Sequence, residues 1–215
     1  MSEFLTVFIL LSFFNNALFS VSMRKTLLYP IIGVIIILYF SLTILILPER
    51  YLSTEQLVPQ PYFEVILSNT EILLGDSFRL SIVSENRGDY GDIHILSTAF
   101  PNLAEIEGVV QIVTYDFTQS SVAIMPGDEI GAKYSGGLES AIAKYPSIEA
   151  MSRPILPGAK NNLELIITPE KPGIFTIYVK SINIPHTSDR SHYPLSGILD
   201  HQNEYVLDYS VSVNP

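Results

Sequence analysis

Two hydrophobic patterns divide the chain. From Thr26 to Pro48 the run TLLYPIIGVIIILYFSLTILILP holds no charged side chain; from Tyr62 onward apolar and polar positions alternate every second residue. The first run has the roughly 20 residues that an α-helix needs to cross a bilayer core. Arg24-Lys25 precede it and Glu49-Arg50 close it. A basic pair on one flank keeps that flank in the cytoplasm and sends the other side out. The expectation is a single-pass signal-anchor helix at 26–48, a linker at 49–61, and residues 62–215 outside the cytoplasm on the cell membrane.

The second pattern has the period of half-buried strands. It is clean in Phe78-Arg79-Leu80-Ser81-Ile82 and in Tyr205–Val213, and recognisable in Leu163–Ile167. Further strand candidates are Tyr62–Leu67, Asp92–Ala99, Val109–Phe117 and Ile174–Ile182. Turn chemistry separates them at Gly75-Asp76, Asn86-Arg87-Gly88-Asp89, Pro126-Gly127-Asp128, Pro157-Gly158 and Lys171-Pro172-Gly173. About seven such strands predict an all-β fold, an immunoglobulin-like antiparallel β-sandwich. The inward face is read as Phe63, Val65, Phe78, Leu80, Ile82, Ile93, Ile95, Leu163, Leu165, Ile167, Phe175, Ile177, Val179, Leu207, Tyr209 and Val211. His94, between Ile93 and Ile95, is placed toward solvent.

One stretch departs from the pattern. Leu138, Ala141, Ile142 and Tyr145 have the i, i+3, i+4, i+7 spacing of one helical face, with Gly136-Gly137 before them and Pro146 after. A short helix inside an insertion at 119–157 is the expectation. Residues 1–25 leave three readings open. They form a second span of a hairpin, a cleaved signal ending near Ser20 or Ser22, or an upstream segment ahead of a true start at Met23. Positive-inside logic favours the last.

Composition narrows the function. Residues 51–215 hold 20 acidic and nine basic residues, near −11, within a chain of formal charge −10. Such a surface repels nucleic acid and anionic headgroups. There is no cysteine, so no disulfide, thiolate metal site or thiol nucleophile is available.

The segment Leu74-Gly75-Asp76-Ser77-Phe78-Arg79-Leu80-Ser81-Ile82-Val83-Ser84-Glu85-Asn86-Arg87-Gly88 resembles the early strands of CARDB and NEW3 type modules. These are immunoglobulin-like domains on exported bacterial and archaeal proteins. Leu156-Pro157-Gly158, Thr168-Pro169 and Lys171–Val179 resemble their closing strands. The resemblance implies a sandwich fold and a role as spacer, adhesion unit or accessory subunit. It names no chemistry.

Catalytic signatures such as G-x-S-x-G, H-E-x-x-H or a phosphate-binding loop are missing, and no enzyme is expected. The candidate site is the polar stretch 185–204, with His186, Asp189, His192, Tyr193, Asp200, His201 and Glu204 as partner-binding residues. Three of the four histidines lie there. Imidazole and carboxylate suit Zn²⁺ or Cu²⁺, so a metal site at His186, His192 and His201 is the alternative. Otherwise no cofactor is expected, and the imidazoles should titrate near their usual value of about 6.5. The expected role is a membrane-anchored binding, structural or accessory subunit of the cell envelope. Its expected partners are the bilayer and another envelope protein.

Overall fold

The computed structural model describes residues 25–46, 57–130, 141–186 and 190–215. They fall into two units, one within 1–54 and one within 55–215. The first is the helix α1 (Lys25–Ile46), 22 residues with Pro30 at its sixth position, where the bond an N–H would make to the Thr26 carbonyl is missing. At 1.5 Å per residue it is about 33 Å long. Side chains are described only for Tyr29 to Ser41 of it. Among the described residues, taken by themselves, no helix is long and apolar enough to cross a membrane.

The second unit is built of strands β1 (Pro61–Leu67), β2 (Glu71–Leu73), β3 (Phe78–Asn86), β4 (Ile93–Ala99) and β5 (Gly108–Tyr115). A one-turn helix α2 (Leu103–Ile106) precedes β5. Then follow β6 (Val122–Ile124), β7 (Glu129–Ile130), β8 (Ala141–Ile142), β9 (Ser147–Ser152), β10 (Lys160–Pro169) and β11 (Gly173–Ile184). The chain closes with β12 (Ser191–Tyr193), β13 (Ile198–Leu199) and β14 (Tyr205–Asn214).

One sheet has the order β1-β3-β10-β5, and the other runs β13-β14-β11-β4-β9-β6. Read in chain order, β1, β3, β10 and β5 occupy the A, B, E and D positions, and β4, β11 and β14 the C, F and G positions. The domain is an immunoglobulin-like sandwich, and all seven strands expected from alternation are present. β2 adds in parallel to β14, with Val213 opposite Ile72.

The core follows from that alternation. Phe78, Leu80 and Ile82 from β3 and Leu163, Leu165 and Ile167 from β10 meet Phe175, Ile177 and Val179 from β11. Phe175 lies edge-on to Phe78, with ring centroids 5.7 Å apart. The polar alternates stay outside, where Arg79 pairs with Glu164 at 2.5 Å.

Two expectations are corrected. Ile93 and Ile95 are buried, but against Met151 and Ile184 on the far face of the second sheet. The inter-sheet face of β4 carries Leu96 and the fully buried His94. β4 is flanked by β11 and β9 and is buried on both faces, so apolar residues no longer mark which side is inside.

The helix expected around Leu138–Tyr145 is not formed where it can be seen. Ala141 and Ile142 form β8, a ladder with Ile130 and Glu129, and Leu138 lies outside the described residues. Eight residues are too few to sustain a helix without tertiary support. The described residues of the insertion between β5 and β10 include β6 to β9, and β9 widens the second sheet alongside β4.

The Arg87-Gly88-Asp89 triplet, expected as a turn, is a bend laid against 58–60, with the Arg87 N–H on the Gln60 carbonyl and the Asp89 N–H on the Val58 carbonyl. A Cβ at Gly88 would lie 2.4 Å from the Val58 carbonyl oxygen, and Asp89 Oδ2 accepts from the Val58 N–H at 3.0 Å. Glycine is there because the backbones nearly touch.

Candidate functional site

The stretch 185–204 is organised around a residue outside it. Lys180 lies on the outer face of β11, between the core-facing Val179 and Ser181. Its Nζ donates to Asp200 Oδ2 at 2.6 Å, Gln202 Oε1 at 2.7 Å and Glu204 Oε2 at 2.6 Å. Three acceptors use all three ammonium protons. The three charged side chains are only 6–13% exposed. Arg190 adds a second cation on Glu204 Oε1 at 3.1 Å.

Asp200 uses its other oxygen to hold the turn itself, accepting from the N–H groups of Gln202 at 2.8 Å and Glu204 at 3.1 Å. Burial pushes its carboxyl up. The Lys180 hydrogen bond and charge and those two N–H groups outweigh burial, so the carboxyl sits below its ordinary value. Asn203 takes the left-handed conformation inside this turn, which asparagine tolerates.

Tyr193 is a packing residue. It pairs with Ser181 across β12 and β11, and its ring lies 5.0 Å from Tyr62 and 5.1 Å from Phe63. It thereby closes the gap between β11 and the edge strand β1. Further along, Gly197 has φ 143, and a Cβ there would sit 2.7 Å from the Val206 carbonyl oxygen. Gly197→Ala should therefore displace β13 from β14. The expected cost is about 1–3 kcal/mol, read as a lowered denaturant midpoint with the two core sheets retained.

The histidines do not converge. His186 Nδ1 faces Asp92 Oδ2 at 3.2 Å, beside the Tyr90 ring. His201 Nε2 accepts from the Lys144 N–H at 3.3 Å, and its ring stands against Tyr145. His192 is half-buried opposite Ile182. Burial is the largest influence on it and holds its pKa below the usual imidazole range, which corrects the expectation of a freely titrating ring. Among the described residues no group of three His, Asp or Glu side chains is placed to hold a metal ion. His186, His192 and His201, the residues considered for Zn²⁺ or Cu²⁺ from the sequence, each face a different set of neighbours. Asp189 lies outside the described residues.

A small cavity beside the Lys180 clamp is lined by Tyr145, Glu149, Tyr178, Lys180, His201 and Val206. Its water-accessible volume is about 30 Å³, room for a water or two. Ligand pockets are typically about 300–1,000 Å³. The cavity is too small for a substrate.

A constellation missed from sequence lies between the sheets. Ser84 Oγ is 2.7 Å from His94 Nε2, and His94 Nδ1 meets Asn183 Oδ1. Backbone donors fix the proton positions. Asn86 Oδ1 accepts from the N–H groups of Gln60 at 3.1 Å and Gly88 at 3.3 Å. It must then also accept from Asn183 Nδ2, at 3.2 Å. Asn183 Oδ1 is left to accept from His94 Nδ1–H, so Nε2 accepts from the Ser84 hydroxyl.

The order Ser–His–Asn is that of a nucleophilic triad. All three residues are 0% exposed, however, and His94 stacks on Phe117. No substrate carbonyl can reach Ser84. The network is a polar pin through the core, and burial pushes the His94 pKa down to about 4.

Among the described residues of 185–204, three large apolar side chains are exposed beside polar ones such as Ser196, His201 and Asn203. Leu195 is 78% exposed, and Ile198, Leu199 and Tyr205 are also exposed. Leu199 and Tyr205 are direct cross-strand partners in the β13–β14 hairpin. The signal in the sequence was Leu195-Ser196-Gly197-Ile198-Leu199, an apolar run inside a hydrophilic loop.

No protein-family model matches the chain. No curated protein matches it either. Solved structures with some likeness include a type II cohesin domain from the cellulosome of Acetivibrio cellulolyticus. It has 13% identity and a TM-score of 0.37, over 71% of this chain and 95% of that one. A CARDB domain from Pyrococcus furiosus, solved in complex with di-metal ions, has 10% identity and a TM-score of 0.33, over 74% of this chain and 90% of that one. A β-glucosidase from Listeria innocua has 14% identity and a TM-score of 0.34 over 73% of this chain, but this chain covers only 16% of its length. Likenesses this distant add no argument about function, and the immunoglobulin-like assignment rests on the strand order above.

Proposed function

We propose that this chain is a membrane-anchored, non-enzymatic binding subunit whose sandwich lies outside the cytoplasm and docks another envelope protein through the β13–β14 hairpin. The anchor rests on the whole charge-free run 26–48 behind Arg24-Lys25, of which α1 covers residues 26–46.

One observation carries the docking role. Asp200, Gln202 and Glu204 are engaged by Lys180, while Leu195, Ile198, Leu199 and Tyr205 are exposed on the hairpin whose turn those three hold. A soluble domain gains nothing by anchoring a hairpin so firmly and leaving its apolar side chains in water. A partner that covers them does gain. The partner surface is accordingly apolar, and Asp200 and Glu204, named from the sequence as binding residues, act by holding the hairpin in place.

Affinity purification from native membranes tests this. The wild-type chain should bring down a partner in stoichiometric amount. The Leu195→Ser/Leu199→Ser chain should lose it while keeping its membrane association and its unfolding free energy within about 1 kcal/mol, as two exposed substitutions do. Retention of the same partner by the double variant, or purification of the wild-type chain alone, would contradict the proposal.

A further inference from the structure

An amine and two carboxyl groups meet at the dry end of the Lys180 clamp. Lys180 Nζ lies 2.6 Å from Asp200 Oδ2, and Glu204 Oε2 stands 2.6 Å from the same nitrogen. All three side chains are largely withdrawn from water.

The two oxygens of Asp200 are not alike. Oδ2 faces the amine, while Oδ1 accepts from the backbone N–H groups of Gln202 and Glu204 at 2.8 and 3.1 Å. Two backbone donors on one carboxyl oxygen are an oxyanion hole, because they stabilise the negative charge that oxygen carries in a tetrahedral intermediate. Among the described residues, Asp200 is the one acceptor of the clamp that has such a pair. The small cavity beside the clamp touches Lys180, Asp200 and Gln202, and has room for a released water.

We propose that Lys180 and Asp200 condense to an isopeptide bond, with Glu204 moving the protons, so that β11 and the β13–β14 turn become covalently joined. Nζ passes one proton across its hydrogen bond to Oδ2, which leaves an amine beside a carboxylic acid. The nitrogen lone pair attacks Cγ, and the charge gathers on Oδ1 between the two N–H groups. Glu204 takes a second proton from the nitrogen and gives it to Oδ2. The Cγ–Oδ2 bond breaks, water leaves and the Cγ=Oδ1 bond re-forms. The third proton stays on nitrogen as the amide N–H. Nothing is oxidised or reduced, and no activating group is consumed.

Two effects oppose each other in the rate. Burial pushes the Asp200 carboxyl up, but the Lys180 hydrogen bond and charge and the two N–H groups hold it below its ordinary value, so the ion pair is the resting state. Against that, the fold holds amine and carboxyl together, and well-oriented intramolecular reactions reach effective concentrations of about 10⁵–10⁸ M. The bond therefore accumulates slowly after folding, from the ion pair. Condensation removes two buried charges at once and leaves Glu204 paired with Arg190. It proceeds whether or not the hairpin docks a partner.

Mass spectrometry reads the bond directly. The full-length chain, folded in detergent at pH 7 and held until its mass is constant, should become one water lighter than its sequence. Between Lys180 and Asp200 trypsin has one site, Arg190, and Lys171 is shielded by Pro172. With Lys180 blocked, digestion should release 161–190 joined to 191–215, the branch lying at Asp200. Glu204→Gln keeps an oxygen for the lysine but cannot carry a proton. It should keep the wild-type circular dichroism and form the branched peptide about a hundredfold more slowly. A folded wild-type chain that retains its full sequence mass, loss of water without a branched peptide, a branch at another residue, or an equal rate in Glu204→Gln would each overturn the proposal.

Discussion

Lys180→Met should destabilise the β domain by about 3–5 kcal/mol, the cost of breaking a buried ion pair by removing one partner. The cation satisfies Asp200, Gln202 and Glu204 together at 2.6–2.7 Å. Methionine fills the stem of the lysine but leaves the buried Asp200 carboxylate without its cation and Glu204 with Arg190 alone. Denaturant unfolding at pH 7 measures the loss. The variant Lys180→Met/Asp200→Asn/Glu204→Gln removes the charges together and should recover much of the stability, because the uncompensated charge, not the missing contact, dominates. Asp200→Asn still leaves an oxygen for the Gln202 and Glu204 N–H groups. A loss below about 1 kcal/mol from Lys180→Met would mean the clamp is worth no more than an exposed pair. The rigid hairpin would then lose its basis.

Acid should weaken the domain through His94. In the unfolded chain its imidazole titrates near 6.5, whereas burial lowers it to about 4 in the fold. Above pH 6.5 neither state holds the proton, and stability is unaffected. Between about 6.5 and 4 the unfolded chain binds the proton and the fold does not, so stability falls as pH falls. Below about 4 both bind it and the loss levels off. At about 1.36 kcal/mol per unit, the full loss is about 3 kcal/mol. The Asp200 carboxyl, held below its ordinary value, loses its contribution at lower pH, in a separate window. His94→Gln keeps a donor and an acceptor but cannot titrate. The fall in unfolding free energy from pH 7 to pH 4 should be about 3 kcal/mol smaller in that variant than in the wild-type chain. Equal falls in the two would show that His94 takes up its proton in the fold as readily as in the unfolded chain.

What the sequence disclosed follows from how each residue is surrounded. Phe78, Leu80 and Ile82 alternate with Arg79 and Ser81 because one face of β3 meets the core and the other meets water, so period two announced the strand and its face. In β4 that contrast is gone, and Ile93 and Ile95 drew attention to the wrong side. The helix at Leu138–Tyr145 was read from four positions. Four apolar residues fit many periods, and Ala141 and Ile142 found partners in Glu129 and Ile130. β9, with sequence SIEAMS, alternates weakly because five of its six residues are buried.

At the candidate site, residue type was legible and direction was not. Asp200, Glu204 and Tyr193 do organise the stretch 185–204, but they turn toward Lys180 and Phe63, contacts that depend on how β11 and β1 are placed. Lys180 itself sits in Val179-Lys180-Ser181, where a lone charge in an apolar strand was the available hint of a buried partner. The Ser84–His94–Asn183 pin joins three strands, and no local spacing announces it. Leu195, Ile198 and Leu199 were visible as an apolar run but were outweighed by the surrounding histidines and acids.

The central claim, a tethered module that presents its β13–β14 hairpin outside the cytoplasm, is tested most directly by one cysteine in this cysteine-free chain. Ser196 is exposed between Leu195 and Gly197. A Ser196→Cys chain in intact cells should react with a membrane-impermeant maleimide, and the labelled protein should stay with the membranes through carbonate washing. Labelling only after the cells are lysed, or release of the labelled chain by carbonate, would contradict the account.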